Sequence, residues 1–166
     1  MSQCIVIIGK KRTGKTTKVV EILGQFPQMG KYIFDVNNEY TAEFGVPNNY
    51  RGPLDMDAFL ESCSRLKNSI VVCEEAAPYL GQKNSQLRKI MQLSRHTGNV
   101  VLIILHQVSD LPSDIYGRID YICLFKTPDF SASLDRKFRT NEQFMTEFQK
   151  VKNADDLHAH SFFSVV

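Results

Sequence analysis

The chain of 166 residues has little that would tie it to a membrane, an oxidising compartment or a strongly charged partner. Its longest apolar run, residues 100–105, falls far short of the ~20 residues that a bilayer-spanning helix needs. No basic stretch followed by an apolar one opens the sequence, so the protein is expected to stay in the compartment where it is made. The four cysteines, Cys4, Cys63, Cys73 and Cys123, lie far apart without a C-x-x-C pair, and buried free thiols in a reducing cytoplasm are expected. His158-x-His160 lacks the cysteine or acidic companions of a metal site. A net charge of +2 neither demands nor excludes a polyanion, so nucleic acid would have to meet a local patch or a ring of subunits. Internal repeats and low-complexity tracts are also missing. What is left, 43% hydrophobic and 23% charged residues, is the composition of an ordinary globular chain the size of one domain. A single domain over 1–166 is expected, with its core at about 4–129 and a helical and β segment at 130–166.

One stretch organises the rest. Gly9-Lys10-Lys11-Arg12-Thr13-Gly14-Lys15-Thr16 follows the apolar run Cys4-Ile5-Val6-Ile7-Ile8 and precedes a helical pattern. It is G-x-x-x-x-G-K-[ST] in the strand, loop and helix setting that the motif requires. Gly9 and Gly14 let the backbone wrap closely, so that successive N–H groups and a helix N-terminus point at a polyphosphate. Lys15 can then reach the β and γ phosphates, the Thr16 hydroxyl is placed for Mg²⁺, and Thr17 can assist at the helix start. The motif therefore predicts a nucleoside triphosphate such as ATP, together with Mg²⁺.

Downstream, apolar runs alternate with amphipathic ones. A helix is expected over 15–23, a strand over 32–36, a loop over 41–53, and a helix from the cap Asp55 through Leu66. Asp35 and Glu39 fall at the carboxyl edge of a parallel sheet, as turn residues or as ligand contacts. Ser69-Ile70-Val71-Val72-Cys73-Glu74-Glu75 reads as a strand covered on both faces that ends in two carboxylates. Adjacent acids can divide the work: Glu74 holds the metal's water shell and Glu75 polarises the attacking water. A basic helix follows over 83–96, which by itself would count as a solvated face. The run 99–107 is the most apolar strand and hence the expected centre of the sheet, ending in His106 and Gln107. A fifth strand covers 120–125. Residues 161–166 either add a strand or dock on a neighbour. Five strands alternating with helices give a three-layer α/β/α sandwich with a mainly parallel central sheet.

Four segments sharpen this reading. Phe34-Asp35-Val36-Asn37-Asn38-Glu39-Tyr40, Val72-Cys73-Glu74-Glu75-Ala76-Ala77-Pro78-Tyr79, Ser94-Arg95-His96-Thr97-Gly98 and Leu105-His106-Gln107-Val108-Ser109-Asp110-Leu111-Pro112 resemble the corresponding parts of the FtsK–HerA superfamily of ring-forming, DNA-pumping P-loop ATPases. Within it the chain looks most like the genome-packaging ATPases of tailless icosahedral viruses with double jelly-roll capsids. The resemblance covers about 4–129. It implies a P-loop NTPase of the additional-strand type that hydrolyses ATP and translocates DNA as a ring, a hexamer. It further implies Gln107 reading the γ-phosphate and an arginine acting on the neighbouring subunit's site, Arg95 first and Arg88 second. A capsid or portal-vertex partner, and a place in the host cytoplasm or at a virion vertex, are implied in the same way. Residues 81–84 and the basic C-terminal segment are candidate DNA contacts. Two departures stand out: Glu74 replaces the usual Asp, and the loop interior Lys10, Lys11, Arg12, Thr13 is unusually basic. Two rival readings are a small phosphotransferase of the nucleotide-kinase type and a nucleotide-gated assembly or partitioning ATPase.

Overall fold

The computed structural model describes residues 2–40, 49–50, 55–129, 134, 137, 138 and 141–165. Most of the loop expected at 41–53, together with Arg136 and Arg139, lies outside the described residues.

Seven strands form one sheet in the order β3-β2-β4-β5-β1-β6-β7. They are β1 (Gln3–Ile8), β2 (Gly30–Phe34), β3 (Asn49–Tyr50), β4 (Ser69–Cys73), β5 (Val100–Leu105), β6 (Tyr121–Phe125) and β7 (His160–Ser164). The first six pair in parallel, and β7 runs antiparallel to β6. β5 is the middle strand, and it separates β1 from β4 as the additional-strand arrangement requires. β4 and β5 are buried along their whole length. This is why they read as continuous apolar runs: a parallel sheet with helices on both faces leaves no side for polar residues.

Alternate residues of the strands feed two cores. Cys4, Val6, Ile8, Val71, Cys73, Val101, Ile103 and Leu105 face the larger core. That core holds residues of α2 (Met56–Cys63), α3 (Ala77–Leu80), α4 (Gln86–Thr97) and α5 (Glu142–Asn153). Ile5, Ile7, Ile70, Val72, Val100, Leu102 and Ile104 face the other core, covered by Val19, Ile22 and Leu23 of α1 (Lys15–Gly24). The C-terminal segment is part of the larger core through Phe138, Phe144, Phe148 and Phe163, with the Phe138 and Phe144 rings stacked at 4.2 Å. All four cysteines are buried free thiols, and burial pushes Cys4 and Cys123 up to about 12.

Boundaries differ from expectation where local hydrogen bonds decide them. α4 begins at Gln86, not at 83, because Ser85 caps it by accepting from the Arg88 N–H at 3.3 Å. It ends on Gly98, whose φ of 71° suits a left-handed cap. α2 stops at Cys63, three residues short of Leu66. β4 stops at Cys73, so both glutamates lie beyond the strand. β7 is the strand that the C-terminal segment could add to the five, and among the described residues the two-residue β3 is a further strand, inside the segment expected as a loop.

Candidate nucleotide site

The loop after β1 is tied down on both sides. Gly9 N–H donates to the Leu105 carbonyl at 3.1 Å, and Lys10 N–H donates to the Lys126 carbonyl at 2.8 Å. A Cβ on Gly9 would stand 2.5 Å from Phe125 Cβ and 2.9 Å from Thr13 Oγ1, so only glycine lets the loop lie this close to β6. Arg12 and Gly14 take positive φ values of 66° and 100°. Thr13 is fully buried and donates to the Lys10 carbonyl at 2.9 Å, a staple inside the loop.

Gly14 opens α1 without a side-chain cap, and the first turn carries no acidic residue. The amides that a helix start leaves unpaired are thus free for an outside anion, and the helix dipole favours one. Lys15 is buried and donates through Nζ to the carbonyls of Gly9 at 2.8 Å and Lys10 at 3.0 Å. Burial lowers its pKa, against the pull of Glu74, Glu39 and Glu75.

These residues open onto a cavity of about 620 Å³ at the carboxyl edge of the sheet. Lys11, Arg12, Gly14, Lys15, Thr16 and Thr17 line it from the loop and α1; Asn37, Glu39, Glu74, Glu75 and His106 come from the strand ends, and His158 from the C-terminal segment. Asp35 shapes the loop after β2 by accepting from the N–H groups of Glu39 at 2.8 Å and Tyr40 at 3.1 Å. That turn aims Glu39 at Thr16, whose hydroxyl donates to Glu39 Oε2 at 2.5 Å. It also buries Tyr40, whose hydroxyl donates to Glu74. Burial pushes the Glu74 carboxyl up to about 7, against the lowering hydrogen bond from Tyr40.

Glu75 points elsewhere because its backbone turns left-handed, with φ 53°. For a glutamate that is an unusual and costly conformation, of the kind that recurs at functional sites. Its Oε1 lies 2.8 Å from His106 Nε2. Partial burial raises its pKa, but the bond and charge of His106 and a bond from Asn37 outweigh it and hold the carboxyl below its ordinary value.

Of the residues singled out in the sequence, Lys11, Arg12, Gly14, Lys15, Thr16, Thr17, Glu74 and Glu75 line this one cavity. Other expected residues stand apart. Lys10 lines a separate hollow with Lys126 and Lys152. Gln107 is not among the residues lining the cavity; its carboxamide donates to Asp110 at 2.9 Å, within the turn that follows β5. His106, its neighbour, is in the cavity instead. Arg88 is buried, donating through Nε to the Leu80 carbonyl at 2.9 Å and through both terminal nitrogens to Asp114. Arg95 is exposed in the last turn of α4, with Nη2 3.5 Å from Asp120 Oδ1. Asp120 also accepts from Cys4 N–H at 2.7 Å, so Arg95 sits at the amino edge of the sheet, across from the cavity. Residues 81–84 are exposed between α3 and α4.

Among the described residues no three His, Cys, Asp or Glu converge to cage a metal on their own. The Thr16 hydroxyl with the carboxylates beside it is nonetheless a hard-oxygen donor set of the kind Mg²⁺ takes, with waters and substrate phosphates completing the shell.

Fold and loop together define a P-loop NTPase fold of the additional-strand type. No family model matches the sequence. The chain superposes on the genome-packaging NTPase B204 of Sulfolobus turreted icosahedral virus 2 in complex with ATPγS, with a TM-score of 0.75 and 19% identity over 99% of this chain and 92% of that one. The DNA-packaging ATPase B204 of Sulfolobus turreted icosahedral virus gives 0.73 at 18% identity, over 98% and 92%. The N-terminal domain of zonular occludens toxin from Neisseria meningitidis gives 0.56 at 18%, over 77% and 78%. In sequence, the uncharacterized protein L666 of Acanthamoeba polyphaga mimivirus is 24% identical over 177 aligned positions, spanning 92% of this chain and 69% of that protein. The structural likeness to the packaging NTPases covers 98–99% of the chain and thus runs beyond about 129, where the motif resemblance stops, into the C-terminal segment. No helix among the described residues is long and apolar enough to cross a membrane.

Proposed function

We propose that this chain is an ATP-hydrolysing DNA translocase that packages a viral genome, working as a ring, with six subunits by resemblance. The observation that carries the reading is the meeting of Lys15, Thr16, Glu74 and Glu75 in one cavity at an uncapped helix start. The fold likeness to NTPases that package viral genomes supports it.

The triphosphate lies along the loop, held by the amides of residues 9–16 and the first turn of α1. Lys15 leaves the Gly9 and Lys10 carbonyls to meet the β and γ phosphates, and Lys11 and Arg12 add charge at the cavity wall. Thr16, with Glu74 directly or through water, would hold Mg²⁺, which would supply positive charge against the phosphate oxygens. Glu75 accepts the proton of the attacking water; the bond to His106 and the left-handed turn hold its carboxylate in place and ionised. Gln107 can read the γ-phosphate only after leaving Asp110, a rotation that would couple the site to the turn after β5. Arg95 cannot reach its own chain's cavity from the amino edge, so its role is in trans, stabilising the transition-state charge in the adjoining subunit. DNA threads the ring, held through its phosphates by residues 81–84 or the basic C-terminal segment. A capsid or vertex protein is the expected anchor, in the host cytoplasm or at the virion.

The test is ATP turnover against protein concentration, with and without double-stranded DNA. A rate per subunit that climbs with concentration and responds to DNA is expected. A concentration-independent rate that DNA leaves unchanged would sink the ring motor.

A further inference from the structure

The C-terminal segment delivers a histidine to the phosphate loop that the hydrolytic chemistry leaves unused. Beside the main cavity lies a second hollow of about 220 Å³. Gly14, Thr17 and His158 line both, so the two spaces are continuous along the start of α1. Phe125, the last residue of β6, also lines the hollow, and the His160 ring stacks on it with centroids 4.8 Å apart and planes at 26°. The turn that presents His158 is fixed from two directions. Its N–H donates to Asp156 Oδ1 at 2.9 Å, and its carbonyl accepts from His160 Nδ1 at 3.2 Å. The imidazole of His158 lies against the second loop glycine: a Cβ on Gly14 would be 3.6 Å from its Nδ1. Lys18 and Glu21, paired at 2.8 Å, stand at the hollow's α1 side.

The direction of a bound triphosphate follows from the roles proposed above for Lys15, Glu74 and Glu75. Its γ end belongs with Glu74, Glu75 and Lys15, and the amides of the first turn of α1 take the phosphates nearer the sugar. The nucleoside must then leave past Thr17, which is where the second hollow begins. A hollow with an imidazole at its mouth and a stacked Phe125–His160 pair beside it suits a flat π-system, and its Lys18 ammonium is already paired with Glu21. The adjacent ammonium and carboxylate of Lys18 and Glu21 match the neighbouring acceptor and donor on a base edge.

We propose that this hollow is the nucleobase subsite, in which the base of the bound nucleotide stacks on His158, with Lys18 and Glu21 at its edge. The proposal rests on the reading of the main cavity as a triphosphate site. It gives residues 158–160 a binding role and joins β7 to the nucleotide, although the sequence motif for phosphate binding ends more than 140 residues earlier.

Calorimetric titration with β,γ-methylene-ATP and with inorganic triphosphate, both with Mg²⁺, separates base from phosphate. In His158→Ala, affinity for the ATP analogue should fall about tenfold, the scale of one base-stacking contact, while that for triphosphate stays at the wild-type value. His158→Phe should restore most of the loss. Retained triphosphate binding also shows that the variant is folded. An equal loss of both ligands, or no loss of either, overturns the base subsite alone. A wild-type protein that binds neither ligand removes the triphosphate reading and this one with it.

Discussion

The two edges of the sheet use polar residues differently. At the amino edge they are spent on backbone. Asn99 accepts from Ser69 N–H at 3.0 Å and donates to the Leu66 carbonyl at 2.9 Å, and Asp120 accepts from Cys4 N–H. At the carboxyl edge Asp35, Thr13 and Lys15 also bond backbone, but three further pairs are side chain to side chain: Thr16 on Glu39, Tyr40 on Glu74, His106 on Glu75. Left-handed backbone differs too. At the amino edge it falls on Asn68 and Gly98, which tolerate it, whereas at the carboxyl edge Asn38 and Gly14 share it with Arg12 and Glu75, for which it is costly. Asn99 and Asp120, tied to the backbone of the sheet, hold the fold; a pair of side chains tied to each other at the cavity, like Lys15 on its loop carbonyls, can be released when a ligand offers more.

Arg95 is the residue that could break this contrast, being exposed at the structural edge with only a 3.5 Å contact to Asp120. Arg95→Ala should lower turnover per subunit by about 10³–10⁵-fold, the span of a trans arginine, in steady-state assays at ring-forming concentration. Its unfolding free energy should shift by less than ~1 kcal/mol, as for an exposed pair. Unchanged turnover would return Arg95 to the solvated face that the sequence alone suggests. Glu75→Gln sharpens the other side: hydrolysis should fall about 10²–10⁴-fold while equilibrium ATP binding persists. Loss of binding in step with rate would make Glu75 a ligand contact rather than a base. Asn99→Ala strands the buried Ser69 N–H and should cost about 1–3 kcal/mol in urea unfolding with ATP affinity unaltered. A drop in affinity at constant stability would erase the distinction between the edges. Smallest is His106→Ala, where kcat should fall about tenfold, the loss of one positioning hydrogen bond to a charged group, with KM nearly constant. A KM effect alone would place His106 on the substrate instead.

The sequence was informative where physics is local. A glycine loop between an apolar run and a helix can be read directly, and fully buried parallel strands announce themselves as β4 and β5 do. Distant partners were harder. Nothing near Arg88 says that Asp114, 26 residues on, will hold it as a structural residue. Gln107 and His106 both follow β5, and strand alternation cannot choose between them once the chain turns and Asp110 takes the carboxamide. The divergence of Glu74 and Glu75 was expected from strand geometry, but it comes from a left-handed turn after the strand has ended. β3 has only two residues, too few for any pattern, and the place of His158 beside Gly14 depends on β7 folding back antiparallel on β6.

The uncapped start of α1 also makes nucleotide a part of the folded state's free energy. A bound polyphosphate takes the amides of that helix start in the folded chain alone, so the nucleotide-bound protein is the more stable form. At ligand a hundredfold above its Kd, the native state gains about 2.7 kcal/mol, a shift of several degrees in melting temperature. Each turn of ATP binding and release would then tighten and loosen the β1–α1 corner, so the loop that holds the fuel also sets how firmly its subunit holds together.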